Sequence, residues 1–194
     1  MRFILGLTGP TGAGKSECAA VAANLGFQVI DCDKVAREAT EKGSSALIEL
    51  TKVFGTDILN ADGTLNRQAL ANKAFKTPEN TELLNKTVLP FIAELIKSRI
   101  SGKKVLLDAP TLFESGIDGI CNKTVAVLSD TENRLLRIKE RDKIDDSAAW
   151  LRINAGKNDE YYLSKADKCF YNNGDLDLFK NDFKKYLTEL SERN

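Results

Sequence analysis

Apolar and polar residues fall along this chain in blocks rather than in single alternation. Five short runs are continuously apolar: "FILGL" from Phe3, "FQVI" from Phe27, "KVLLD" from Lys104, "TVAVL" from Thr124 and "KCFY" from Lys168. Runs without a polar residue at every second position predict strands covered on both faces, as in a parallel sheet. Between the first two runs, "KSECAAVAANLG" has an Ala-rich body that favours helix. Gly26 stands where a helix end needs left-handed backbone. Strand, helix and strand within about thirty residues make a βαβ unit.

The stretch from Ile30 to Lys104 is far longer than one crossover needs and predicts several helices. Stops and starts fall at "NADG", at Thr77 (a cap) with Pro78 as first helical residue, and at Leu89-Pro90. After Leu128, "SDTE" predicts a capping box of Ser129 with Glu132, opening a helix through "NRLLRIKER". The polar stretch from Asp142 to Asp167 predicts a mobile helical insert, with a helix start at "IDDS" and a break at Gly156. Leu176, Leu178, Phe179, Phe183, Tyr186, Leu187 and Leu190 recur at helical spacing and predict a terminal helix packed by one face. The expected architecture is α/β, with five mostly parallel strands wrapped by helices. Its core is 1–43, 102–136 and 167–194, and its helical inserts are 44–101 and 137–166. Ligands in such sheets sit beyond the carboxyl ends of the strands. Here those ends are Thr8, Asp31 to Asp33, Asp108 to Pro110, Ser129, and Asn172 to Gly174.

Composition narrows the classes. The chain has 194 residues, 42% hydrophobic and 29% charged, which suits one core with insertions. Lys+Arg and Asp+Glu balance at 28 each, so no overall field draws nucleic acid or anionic membrane. Cys18, Cys32, Cys121 and Cys169 are scattered, and the chain has no histidine. That pattern suits neither a zinc site nor a disulfide framework, and it predicts reduced thiols in a cytoplasmic protein. No run approaches the ~20 apolar residues of a membrane span.

One motif carries chemistry directly. "GPTGAGKS" (Gly9, Pro10, Thr11, Gly12, Ala13, Gly14, Lys15 and Ser16) fits G-x-x-x-x-G-K-[ST] at every position, after a predicted strand and before a predicted helix. Its glycines let successive N–H groups turn toward phosphate oxygens, and the helix dipole adds to the attraction. Lys15 is expected at the β- and γ-phosphates, and the Ser16 hydroxyl on Mg²⁺. A GTPase would need N-K-x-D, but the two "NKTV" stretches, at Asn85 and Asn122, carry Val in place of the Asp.

The chain then resembles the dephospho-CoA kinase family, over nearly its whole length and in several separated motifs. Beside the phosphate loop, "VIDCDKVAR" from Val29 matches V-I-D-x-D-x-x-A-R, and "DGTLNRQAL" from Asp62 matches D-G-x-L-x-R-x-x-L. "APTLFE" from Ala109 resembles P-L-L-F-E, "RIKERD" from Arg137 resembles the lid, and "ADKCFYNNG" from Ala166 resembles A-D-x-x-I-x-N-x-G. The resemblance implies a P-loop fold like that of nucleoside-monophosphate kinases. The segment 44–101 would bind the acceptor and 137–166 would form a lid. It also implies Mg²⁺-dependent transfer from ATP to the ribose 3′-hydroxyl of dephospho-CoA, by a cytoplasmic monomer without nucleic-acid or membrane partners. Asp33 would be the base, with Lys15 and Arg141 as the other catalytic residues. Asp31 would hold the turn or orient a Mg²⁺ water. ATP would meet the loop from Gly9 to Glu17, Arg137 and Arg141, and at its adenine Asn173 and Gly174; Arg152 would belong to the lid. The acceptor would meet Thr8, Asp33, Arg67 and Leu112. With no histidine, the base must in any case be a carboxylate or an unusual neutral lysine.

Four positions depart from the family pattern. Glu17 replaces a Ser or Thr whose hydroxyl could bond the α-phosphate, so it must point away or weaken ATP. Leu89 replaces the His of an H-P pair, Gly156 the Gln of R-I-x-x-Q, and Thr111 the second residue of P-L-L-F-E. The rival readings are a nucleoside or nucleoside-monophosphate kinase on the same core, and an ATP-binding regulatory module without turnover.

Overall fold

The apolar runs pair side by side into one sheet, whose central strands are covered on both faces while its two edge strands stay partly exposed. The computed structural model describes residues 2–193. Its strands are β1 (Phe3–Thr8), β2 (Gln28–Asp31), β3 (Lys104–Asp108), β4 (Lys123–Leu128) and β5 (Lys168–Tyr171). They stand in the order β2-β3-β1-β4-β5, and every pairing is parallel. The chain builds one side of β1 first and then crosses to the other, which leaves a crevice beyond the carboxyl end of β1.

Two helices reach the first face: α1 (Lys15–Asn24) and α9 (Leu176–Arg193). Cys18 and Ala22 of α1 and Phe183 and Leu187 of α9 close over Leu5, Leu7, Leu106 and Val125. On the other face lie α2 (Cys32–Ala39) and α5 (Pro78–Arg99), with Val35, Ile92 and Ile96 over Val105 and Leu107. A fully buried side chain of this size contributes about 1.5–3 kcal/mol relative to exposure. Gly26 has φ 80°, as the end of α1 requires.

The remaining helices lie in the two long connections. Between β2 and β3, α3 (Ser45–Phe54) and α4 (Arg67–Ala74) precede α5, with Ser44, Asn66 and Thr77 as side-chain N-caps. Between β4 and β5 lie α6 (Thr131–Asp142), α7 (Asp146–Asn154) and α8 (Asp159–Leu163). Gly43, with φ 82°, precedes the cap of α3, whereas position 137 falls inside α6. Among the described residues no helix is long and apolar enough to cross a membrane.

Three local expectations are corrected. Leu89-Pro90 does not divide a helix: α5 runs through Pro90 for 22 residues. An interior proline costs a helix about 3 kcal/mol, and burial on both sides of it (Val88 before, Ile92 and Ile96 after) offsets that cost. Ser129 caps nothing: its hydroxyl donates to Asn172 O at 2.7 Å, and Asp130 takes the N-cap position without a side-chain bond. Leu176 and Leu178 are exposed, because the buried stripe of α9 begins only at Phe179.

Candidate active site

Local backbone geometry builds the site outward from the end of β1. Residues Gly9 to Gly14 turn from β1 into α1, with φ of 138°, 78° and 105° at Gly9, Gly12 and Gly14. Side chains are strained in that region, and space forbids them too. A Cβ on Gly9 would run into the Val127 carbonyl, and one on Gly14 into the Asn172 amide. Lys15 folds back over the loop and donates from Nζ to Gly9 O at 2.7 Å and Pro10 O at 3.2 Å. Burial pushes its pKa below the usual lysine value, against the pull of Asp108. The loop opens on a cavity of about 630 Å³ with Gly12, Lys15, Ser16 and Glu17 in its wall. Asp108, Pro110, Asn172 and Leu176 complete much of the rest.

Three carboxylates stand at the ends of β2 and β3. Asp31 caps α2, its Oδ1 accepting Lys34 N–H at 3.0 Å. It is therefore Asp31, not Asp33, that takes the capping role an aspartate so often has at this position. Asp33 is left in the first turn of α2, where desolvation foremost, and then Asp31, raise its pKa, against Arg37 and Lys15. Asp108 is the register partner of Asp31 on the neighbouring strand. Burial raises its pKa as well, opposed first by Lys15. Its Oδ1 is buried with no hydrogen-bond partner.

That orphaned oxygen and the exposed Ser16 hydroxyl, in the wall of one cavity, offer the hard oxygen donors a divalent cation takes. Among the described residues no three His, Cys, Asp or Glu side chains form a metal cage.

The arginines of α6 divide in two. Arg137 donates to Ser129 Oγ at 3.0 Å, to Asn172 O at 2.9 Å and to Gly12 O at 3.4 Å, and so ties the phosphate loop to the end of β5. Arg141 is exposed and lies in the cavity wall, held by both oxygens of Asp142 at 2.8 and 2.9 Å. Arg152 of α7 pairs with that same carboxylate. Arg134, which sequence reasoning missed, is only 4% exposed and donates from Nε to Thr11 O at 2.9 Å. Its spacing was a signal, since 134, 137 and 141 lie on one helix face. Asp108 was marked only by its place at the carboxyl end of a predicted strand, with no role assigned to it.

The other expected contacts are dispersed. Thr8 is fully buried and donates to Pro110 O at 3.1 Å. Leu112 lies at 0% exposure in the core beneath Gly6, so any contact it makes with substrate would come from its backbone. Arg67 is exposed on α4 and reaches Thr40 Oγ1 at 3.3 Å, near the end of α2. Asn173 exchanges two hydrogen bonds with Asp130, while Asn172 is the one that enters the cavity wall; Gly174 is exposed beside them. Glu17 turns to α9 and pairs with Lys180 at 2.6 Å. Leu89, within α5, is partly buried against the core, Thr111 is exposed, and Gly156 follows the end of α7.

A parallel sheet in this order, with its phosphate loop beneath helical connections, defines a P-loop kinase. The fold recurs in a shikimate kinase from Bacteroides thetaiotaomicron, with a TM-score of 0.55 at 19% identity over 98% of each chain. A family model described as dephospho-CoA kinase matches residues 3–177, and the chain belongs to that family. It is 39% identical to a dephospho-CoA kinase of Fusobacterium nucleatum, over 92% of this chain and 94% of that one. With one from Corynebacterium glutamicum it shares 38%, over 96% and 98%. The solved dephospho-CoA kinase of Campylobacter jejuni superposes with a TM-score of 0.66 at 26% identity over 100% of both chains.

Proposed function

We propose that this chain transfers the γ-phosphoryl group of ATP to the ribose 3′-hydroxyl of dephospho-CoA, yielding coenzyme A and ADP. The observation that carries the reading is the meeting of Lys15 with Asp33 and Asp108 at the carboxyl ends of adjacent strands. Lys15 and Asp108 wall one cavity, and Asp33 stands in the first turn of α2, two residues past Asp31, the register partner of Asp108. Phosphoryl transfer asks mainly for positioning and charge neutralisation, plus a group to take the hydroxyl proton. Asp33 takes that proton in this account: desolvation raises its pKa, which makes it a stronger base than an ordinary aspartate. The 3′-oxygen then bonds to the γ-phosphorus as the bond to the β–γ bridging oxygen breaks. Lys15 and the loop N–H groups hold the phosphate oxygens. Arg141, already in the cavity wall, adds charge as the lid segment 137–166 closes.

Ser16 and Asp108 would hold Mg²⁺, which neutralises charge on the phosphate oxygens when bound. In the same reading, residues 44–101 receive the acceptor, with Arg67 and the Thr8–Pro110 turn on that side. Asn172, Asn173 and Gly174 flank the adenine. The working unit is taken to be a cytoplasmic monomer with two small-molecule substrates, and the balance of 28 basic and 28 acidic residues gives no overall field toward nucleic acid or anionic membrane.

The test is ADP release by the purified protein with ATP and Mg²⁺ against a panel of acceptors. Dephospho-CoA should support turnover far above nucleosides and nucleoside monophosphates. A preference for one of the latter, or no acceptor-dependent release at all, would overturn the reading.

A further inference from the structure

The ion pair between Glu17 and Lys180 has no part in the chemistry above, yet it sits at the nucleotide's expected place. Glu17 is in the first turn of α1 and lies in the wall of the cavity beside Gly14, Lys15 and Ser16. A carboxylate there opposes what the loop is built for. The N–H groups and the helix dipole attract phosphate, whereas a bare negative charge within a few ångströms repels it. Lys180 comes from α9, which packs against α1 through the core that joins Phe183 to Cys18 and Ala22. Its Nζ lies 2.6 Å from Glu17 Oε2, and both side chains are only about a third exposed, at 33% and 37%.

We infer that Lys180 is a positioning residue for nucleotide binding: by pairing with Glu17 it neutralises and holds aside a carboxylate that would otherwise face the phosphates. Nucleotide affinity in this chain then depends on a contact between the first and last helices. The raised pKa of Lys180, caused first by its bond to Glu17, agrees with a persistent ion pair. The inference rests on the reading of this cavity as the ATP site.

The experiment is calorimetric titration of the Mg²⁺ complex of a non-hydrolysable ATP analogue, so it needs no acceptor and no turnover. Lys180→Met should bind about tenfold more weakly, from the exposed charge, and the ratio to wild type should shrink at 1 M salt, where exposed charges are screened. Lys180→Arg should retain the affinity. The double variant Glu17→Gln/Lys180→Met should recover it to within about twofold, since the charge needing a partner is gone. A thermal melt of each variant checks folding, and the double variant shares any packing loss of the single one. Unchanged affinity in Lys180→Met, or a double variant as weak as the single, overturns the inference while leaving the kinase reading standing. Failure of the wild type to bind the analogue overturns both.

Discussion

The carboxylate of Asp31 accepts the backbone N–H of Lys34 at 3.0 Å and thereby fixes the first turn of the helix that carries Asp33. The two acids of "VIDCDKVAR" thus divide their work: one shapes the end of the strand, and the other is free to meet a substrate. Asp31→Ala should cost about 0.5–2 kcal/mol, the usual worth of a side-chain cap, whereas Asp31→Asn should cost little, because an amide oxygen caps as well. Urea denaturation of the two variants checks this. Equal and large losses in both would mean that Asp31 acts through its charge.

A pH profile follows from the direction of the Asp33 shift. Desolvation raises its pKa on folding, so the protonated form persists to higher pH than for an ordinary aspartate. A base must be deprotonated, so kcat/KM should fall with decreasing pH through that raised value, with the acid limb above the usual aspartate range. Asp108 is raised by the same cause, and the limb is assigned to Asp33 only if it disappears in Asp33→Asn.

Lys15→Ala should lower turnover at saturating ATP by ~10²-fold or more, the scale of removing one donor from developing charge. The fold should persist, because the hydrogen bonds of the Lys15 side chain among the described residues go to carbonyls of its own loop. Turnover and a thermal melt on the same preparation decide it. Retained activity would remove the lysine from the mechanism.

The arginines of α6 should separate. Arg141 is exposed and bonded only to its neighbour Asp142, so Arg141→Ala should cost turnover strongly and stability by less than about 1 kcal/mol. Arg137 joins three backbone or hydroxyl oxygens of the phosphate loop and of the residues that follow β4 and β5, so Arg137→Ala should cost activity and about 1–3 kcal/mol of stability together. Melting and steady-state assays of both variants test this division. Identical melting curves would mean that Arg137 holds nothing together.

The sheet was legible because its central strands β1, β3 and β4 are buried on both faces and therefore read as apolar runs. The phosphate loop was legible because its backbone needs glycine at Gly9, Gly12 and Gly14, where space and φ both exclude a side chain. Readings failed where a distant contact outranked a local preference. Ser129 has the pattern of a capping box, but the end of β5 takes its hydroxyl. Pro90 has the pattern of a helix break, but the buried face of α5 carries the helix past it. The depth of the Leu112 side chain under Gly6, whose missing side chain makes room for it, could not be read from its motif. Asp108 and Arg134 acquire their meaning only from the pairing of strands and the approach of α6 to the loop. The direction of Glu17 could not be read without α9.

The most direct test of the account is phosphorylation of dephospho-CoA by the wild-type protein and by Asp33→Asn and Asp31→Asn, side by side. The amide preserves size but cannot accept the hydroxyl proton, so turnover of Asp33→Asn should fall ~10²- to 10⁴-fold, with binding of the ATP analogue kept within about twofold of wild type. Asp31→Asn should stay much closer to wild-type turnover. Wild-type turnover in Asp33→Asn, or a larger loss in Asp31→Asn, would contradict the account.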